Sequence, residues 1–421
     1  MEIDSSQDRL GRYLWRGSLA CFILAGLTGF LYRLGMIGWL PEGAGLALEN
    51  IRHAHSHLMF FGWAVPFPLY ILTARIAARD ADIDVAAMAW MKRAIAAGLV
   101  FGILSYPFFL LFGYRSVPLG EASLPLSVIF SGLVMVSWYL FMGGYLKVRS
   151  VLSGDRSRPW YDGSLMMLFI CSLGAWGVAV VQALDPANQL LMKGLTHFFL
   201  ATFTEGWVVL VILAIVVGEL DIRAKDWKAS EEWPLGCIAI GAPLTFPLGI
   251  SESLLTPVML AGARAGGFLV AAGLLWVLYT LIASGKWRGA DRIWKWTLFL
   301  LGLKAAIQLA ASVLPSSFWL SDHALRVFYL HILLLGGFTL AVFTWTQLRT
   351  SIGRMYFQGI VVSVILVLFS LLMLTRFWPV AWGGMWMFYV LAAAALLPSL
   401  AVLAYWLRMS INAKKTDSIP G

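Results

Sequence analysis

The sequence predicts an all-α, polytopic membrane helix bundle of about twelve transmembrane helices with both termini in the cytoplasm. Three observations predict it. Hydrophobic residues make up 60% of the 421-residue chain and charged residues only 13%, about half the charge of a soluble domain. Mean hydropathy is +0.80. Apolar runs of about 20 residues, the length that crosses a bilayer core as helix, recur with short polar connections. A soluble enzyme and a disordered chain are excluded. The formal charge of +9 does not signal nucleic acid, because the basic residues are scattered between apolar runs and form no dense phosphate-binding face. The partner implied is the lipid bilayer.

The spans are expected at residues 13–34, 52–77, 91–113, 123–146, 163–184, 191–218, 234–251, 257–284, 294–314, 323–348, 355–376 and 382–407, in a single transmembrane domain covering 1–421. The first run lacks a small-residue cleavage site and reads as a retained helix, not a signal peptide. Lysine and arginine orient the set. With a cytoplasmic N-terminus, 23 of the 31 basic residues fall at inner ends and loops. Seven (Arg33, Arg52, Arg115, Lys193, Arg264, Arg326 and Arg376) fall outside, and Lys304 lies within a span. The bias alternates at every loop, which supports the count of twelve and places both ends of the multi-pass protein in the cytoplasm. Cys21, Cys171 and Cys237 form neither CxxC nor CxxCH, so neither a thiolate zinc site nor covalently attached haem is indicated.

The six histidines are the informative residues. His53, His55 and His57 open the second span, His197 lies early in the sixth, and His323 and His331 lie in the first half of the tenth. These spans all start on the outer side, so every histidine falls in the outer half of the membrane. Ionisable groups within spans are rare and face cavities or partners, and neutral imidazole is the commonest metal ligand and a haem axial ligand. His53 and His57 share a helix face and His55 points away from it. His57 is the deepest of the three. His323 and His331 are separated by about 12 Å in depth and about 80° in azimuth, too far to hold one ion together but placed to serve a pair of stacked sites. His57, His197, His323 and His331 are therefore the candidate metal ligands, with His323 at the interface. Glu205 lies about 12 Å deeper than His197, a candidate proton relay or polar wall. Lys304 and Gln308 share a face of the ninth span. Arg52 and Arg326, at outer ends, are candidate cations for haem propionates, against the plainer reading that they snorkel to headgroups.

The segment RHAHSHLMFFGW, Arg52 to Trp63, resembles the HAHEMLFGF signature of the NnrS family, twelve-helix bacterial membrane proteins that bind haem and copper. HILLLGGFTLAVFTW, from His331, resembles that family's HALTVGAIGGMTLAMMTR. The order of elements is also similar to subunit I of the haem-copper oxidases and nitric oxide reductases. In that subunit a haem-ligand histidine lies on the second helix, a copper-ligand histidine on the sixth, and histidines on the tenth. The resemblance implies a haem b and copper site to which His53, His55 or His57, His197 and His331 contribute. It also implies oxidoreductase chemistry on a diatomic gas, NO or O2, and a small electron donor, quinol or cytochrome. The seventh segment, PLGCIAIGAPLTFPLGIS, carries no histidine pair, unlike the oxidases. The competing class is a twelve-helix secondary transporter, for which polar groups in spans mark a substrate path equally well, although no repeat relates 1–210 to 211–421.

Overall fold

A computed structural model describes residues 9–40, 45–79, 83–185, 187–222, 226–227, 232–250, 252–315, 319, 322–350 and 352–417. Among these, twelve α-helices follow in chain order: α1 (Arg9–Met36), α2 (Leu48–Ala77), α3 (Val85–Phe112), α4 (Leu126–Val148), α5 (Arg158–Leu184), α6 (Gln189–Glu219), α7 (Glu232–Leu244), α8 (Pro257–Ser284), α9 (Lys295–Val313), α10 (His323–Gln347), α11 (Arg354–Leu372) and α12 (Trp386–Asp417). A two-stranded antiparallel hairpin, β1 (Val117–Leu119) and β2 (Ala122–Leu124), joins α3 to α4. Eleven of the helices are long and apolar enough to cross a membrane, so the chain is a multi-pass helical membrane protein.

The exception is α7. Its 13 residues rise about 20 Å, short of a core about 30 Å thick. The segment expected as a continuous span over 234–251 instead stops at Leu244 and continues as a 3-10 turn, Phe246–Gly249. Pro243 and Pro247 explain the break, since each removes a backbone donor and its ring crowds the carbonyl one turn back. Elsewhere the ends follow ordinary capping chemistry. The side chains of Asp84, Asn188, Thr256 and Asp322 accept from the first-turn amides of α3, α6, α8 and α10.

The chain divides into two compact units. The first is Met1–Val151 with Trp345–Gly421 and the second is Leu152–Thr344. In the first, α1 packs on α12 and on α2, α3 packs on α4, and α11 packs on α12. In the second, α7 packs on α8, α8 on α9, and α5 on α6. The α7–α8 crossing is close because Gly241 and Gly266 face one another. A Cβ on Gly241 would lie 2.6 Å from the Gly266 carbonyl, and one on Gly266 would lie 2.7 Å from the Gly241 carbonyl.

Three helices are not uniformly α. A π-helical turn interrupts α2 at Met59–Ala64, α6 at Thr202–Val208 and α10 at Ile332–Phe338. These are the histidine-bearing helices, and each turn starts one to five residues past a histidine. The wider ladder is visible in its bonds: the Val65 amide donates to the Phe60 carbonyl (3.1 Å) and the Thr339 amide to the Leu334 carbonyl, each five residues back. Every turn contains a glycine set against the preceding span: Gly62 against Cys21 of α1, Gly206 against Met167 of α5, and Gly336 against Leu300 of α9. The pair "regular helix, then π-interrupted helix" thus recurs every four helices.

Candidate functional site

The polar centre of the second unit is built by three helices. The π-helical turn of α6 carries Glu205, α9 carries Lys304 and Gln308 one turn apart, and α10 carries Tyr329. Lys304 and Glu205 are 0% and 4% exposed. A charge at that depth is tolerated only when paired and hydrogen-bonded, and here the bonds close on themselves. The Lys304 ammonium donates to Glu205 Oε2 and to Gln308 Oε1. Gln308 Nε2 donates to Glu205 Oε2 (3.1 Å), and the Tyr329 hydroxyl donates to Glu205 Oε1 (2.8 Å). Lys304 Nζ also lies 5.6 Å from the centre of the Tyr329 ring. The sequence placed Glu205, Lys304 and Gln308 inside spans and put the last two on one face. Tyr329 was missed. A buried phenol needs a partner for its hydroxyl, and its position one turn beyond Arg326 was the available signal.

Glu205, Gln308 and Tyr329 line a cavity of about 440 Å³, within the size range of small-molecule and cofactor sites. Most of its wall is apolar. His197, His323 and Arg326 line its other end, so four of the expected site residues share one cavity. Arg326 donates one guanidinium bond, to the Gly249 carbonyl (3.3 Å), while its Nε is buried without a partner. Gly249 also abuts the His197 ring, leaving no room for a Cβ between them. The third histidine of the second unit, His331, does not line the cavity; its Nδ1 is 2.7 Å from the Val327 carbonyl of its own helix. Within this unit α6 and α10 pack together at their π-helical turns.

The second-span histidines belong to the first unit and divide as their spacing predicts. His55 turns to α1, with Nδ1 2.7 Å from the Ala25 carbonyl. His53 and His57 share the other face. His57 lies flat on Phe109 (3.9 Å between ring centres, 6° between planes) and its Nε2 is 2.8 Å from the Tyr114 hydroxyl; its Nδ1 is buried without a partner. His53 meets the Tyr114 ring edge-on at 4.7 Å and lies 3.5 Å from Glu49, which also pairs with Arg52 at 3.2 Å. Arg52 is exposed. Tyr114 lies between α3 and β1, outside the spans. Tyr114 is half-exposed, and burial of its phenol pushes the group up to about 12. Among the described residues no three histidine, cysteine, aspartate or glutamate side chains gather as a metal-binding group. No protein-family model and no curated protein matches this chain.

Proposed function

We propose that this chain is a haem- and/or copper-binding membrane protein of the NnrS or haem-copper-oxidase-like group. In this reading it sits in a bacterial cytoplasmic membrane with both termini inside, and handles NO or O2 at histidines in the outer half of the bilayer. The observation that carries the reading is the tautomer imposed on two histidines. Backbone carbonyls hold Nδ1 of His55 and of His331, which leaves Nε2 as the unprotonated nitrogen, the arrangement that orients imidazoles toward metals. The π-helical turns beyond these histidines support it, because such turns appear mostly at functional sites. Haem iron takes one or two imidazoles, so these residues fit haem better than a copper centre of His57, His197 and His331. Bound haem supplies one-electron chemistry and a coordination position for a diatomic ligand.

The chain's own groups would do the rest. His55 in the first unit and His331 in the second would each orient a group bound within its own unit. Glu205 Oε1 and the Tyr329 hydroxyl hold a proton between them, and a quinol or a cytochrome supplies electrons. The cytoplasmic position of both termini rests on the alternation of basic residues and requires the broken 232–249 segment to cross. The test is the absorbance spectrum and the iron and copper content of protein purified from haem-replete cells. A Soret band lost in His55→Ala or His331→Ala is expected. A colourless, iron-free and copper-free protein would overturn the reading. One observation favours the second reading, a secondary transporter: the cavity of the second unit ends on a buried Lys304–Glu205 pair, as a substrate path would. Solute uptake by reconstituted vesicles of the colourless protein would establish it.

A further inference from the structure

We propose that the cavity of the second unit binds an amphipathic monocarboxylate, its head on Arg326 and His197 and its apolar body along the cavity wall. This goes beyond the redox reading and does not rest on it. Arg326 is a permanently charged guanidinium in the first turn of α10, and among the described residues no carboxylate pairs with it. One of its five donors is used, on Gly249, and its buried Nε has no partner. A half-buried cation with a buried, unpartnered donor calls for an anion. The cavity's own carboxylate cannot serve, because Glu205 already accepts from Lys304, Gln308 and Tyr329. His197 lies on the same cavity wall, its ring set against the backbone of Gly249, the residue that accepts from Arg326. Neither nitrogen of His197 has a hydrogen-bond partner among the described residues.

The chemistry selects the ligand class. A guanidinium fork matches a carboxylate in two parallel bonds. A single guaranteed positive charge at the site favours a monoanion over a dianion. The exposed Lys193, one turn before His197 on α6, adds positive potential at the entrance and steers anions toward it. From the level of His197 to that of Glu205 is about 12 Å along α6, and the wall between is Leu200, Ala201, Ile307, Ala311 and Leu330. That stretch accommodates an alkyl or aryl body. The far end is the closed Glu205–Lys304–Gln308–Tyr329 network, whose polar groups are satisfied by one another, so it offers nothing to a second charged group on the ligand.

The experiment uses the full chain in phosphatidylcholine nanodiscs with radiolabelled octanoate as the probe. Saturable binding is expected, with competition by decanoate and none by octan-1-ol or octylamine. Arg326→Gln is expected to weaken binding at least tenfold and Arg326→Lys to restore part of it. Ala311→Phe, which fills the apolar wall and alters no charge, is expected to block it. Equal competition by octylamine, or unchanged binding in Arg326→Gln, would overturn the proposal; the first of these needs no variant to fold. Loss of octanoate binding in nanodiscs containing phosphatidylglycerol would assign Arg326 to lipid headgroups and also overturn it. Haemin that displaces octanoate and produces a Soret band would support the same carboxylate chemistry with a propionate as its source. A colourless protein that binds octanoate would sink the redox reading and leave this one standing.

Discussion

Replacing Lys304 with methionine isolates the energetics of the buried pair. The substitution keeps the length of an unbranched side chain and removes the charge, so Glu205 keeps the bonds from Gln308 and Tyr329 and loses its counter-ion. Breaking a buried ion pair from one side costs about 3–5 kcal/mol, because the remaining charge is left desolvated. Glu205→Gln is expected to cost a similar amount, leaving the ammonium with only the Gln308 carbonyl. The double variant removes both charges while preserving an acceptor for Tyr329. Neutral replacements of buried pairs are often no worse than the pair itself, so the double variant should fall within about 2 kcal/mol of the parent. Independent effects would sum to about 6–10 kcal/mol. The three cysteines make the assay direct: Cys21, Cys171 and Cys237 are free and buried, so a thiol-reactive fluorophore reports unfolding of the detergent-solubilised protein as temperature rises. Two strongly lowered midpoints and one near the parent's are expected. A double variant at least as unstable as the summed singles would refute the closed-network description.

Gly266→Ala should destabilise by about 1–3 kcal/mol, the cost of overpacking, because its new methyl meets the Gly241 carbonyl; Gly262→Ala, which meets nothing within 4 Å, should be neutral or slightly stabilising in the same assay. Tyr114→Phe removes the hydrogen bond between the phenol and His57 Nε2, and a loss of about 1 kcal/mol is expected; a shift larger than that of Gly266→Ala would mean that Tyr114 does more than this bond. His323→Ala should leave the Soret band in place while His331→Ala removes it, and equal loss would undo the distinction drawn between them. Protons consumed in turnover should come from the outer side, since beyond its π-helical turn α6 reads VLVILAIVV. Alkalinisation of the cytoplasmic-facing compartment of reconstituted vesicles would contradict this.

Composition and apolar run length made the helix class and most of the helices legible, because burial in lipid demands continuous apolar helix and little else produces it. The seventh segment was expected as one continuous helix, and its break was missed for a definite reason. Hydropathy averages over Pro243 and Pro247, whereas the backbone ladder does not. Histidine spacing on α2 was legible because 3.6-residue periodicity alone puts His55 opposite His53 and His57. Glu205 and Lys304 were visible as isolated charges, but their pairing was not, since 99 residues separate them and no local pattern carries that information. The π-helical turns were illegible for a related cause. The surrounding residues are apolar on every side, so the pattern never shows where the period lengthens.

Those turns make three places among the described residues unlike the others with respect to length. In a regular helix, removing one residue swings everything on one side of the gap by about 100° relative to the other and turns buried faces outward. A π-helical turn already holds one residue more than the α ladder needs. Deleting one residue within 59–64, 202–208 or 332–338 should let the ladder close as α-helix while both flanks keep their facing. Single-residue deletions, usually the harshest of small mutations in a membrane span, should therefore be survivable for folding at these three windows and lethal one turn away. What such a deletion should abolish instead is the function of the histidines beside it.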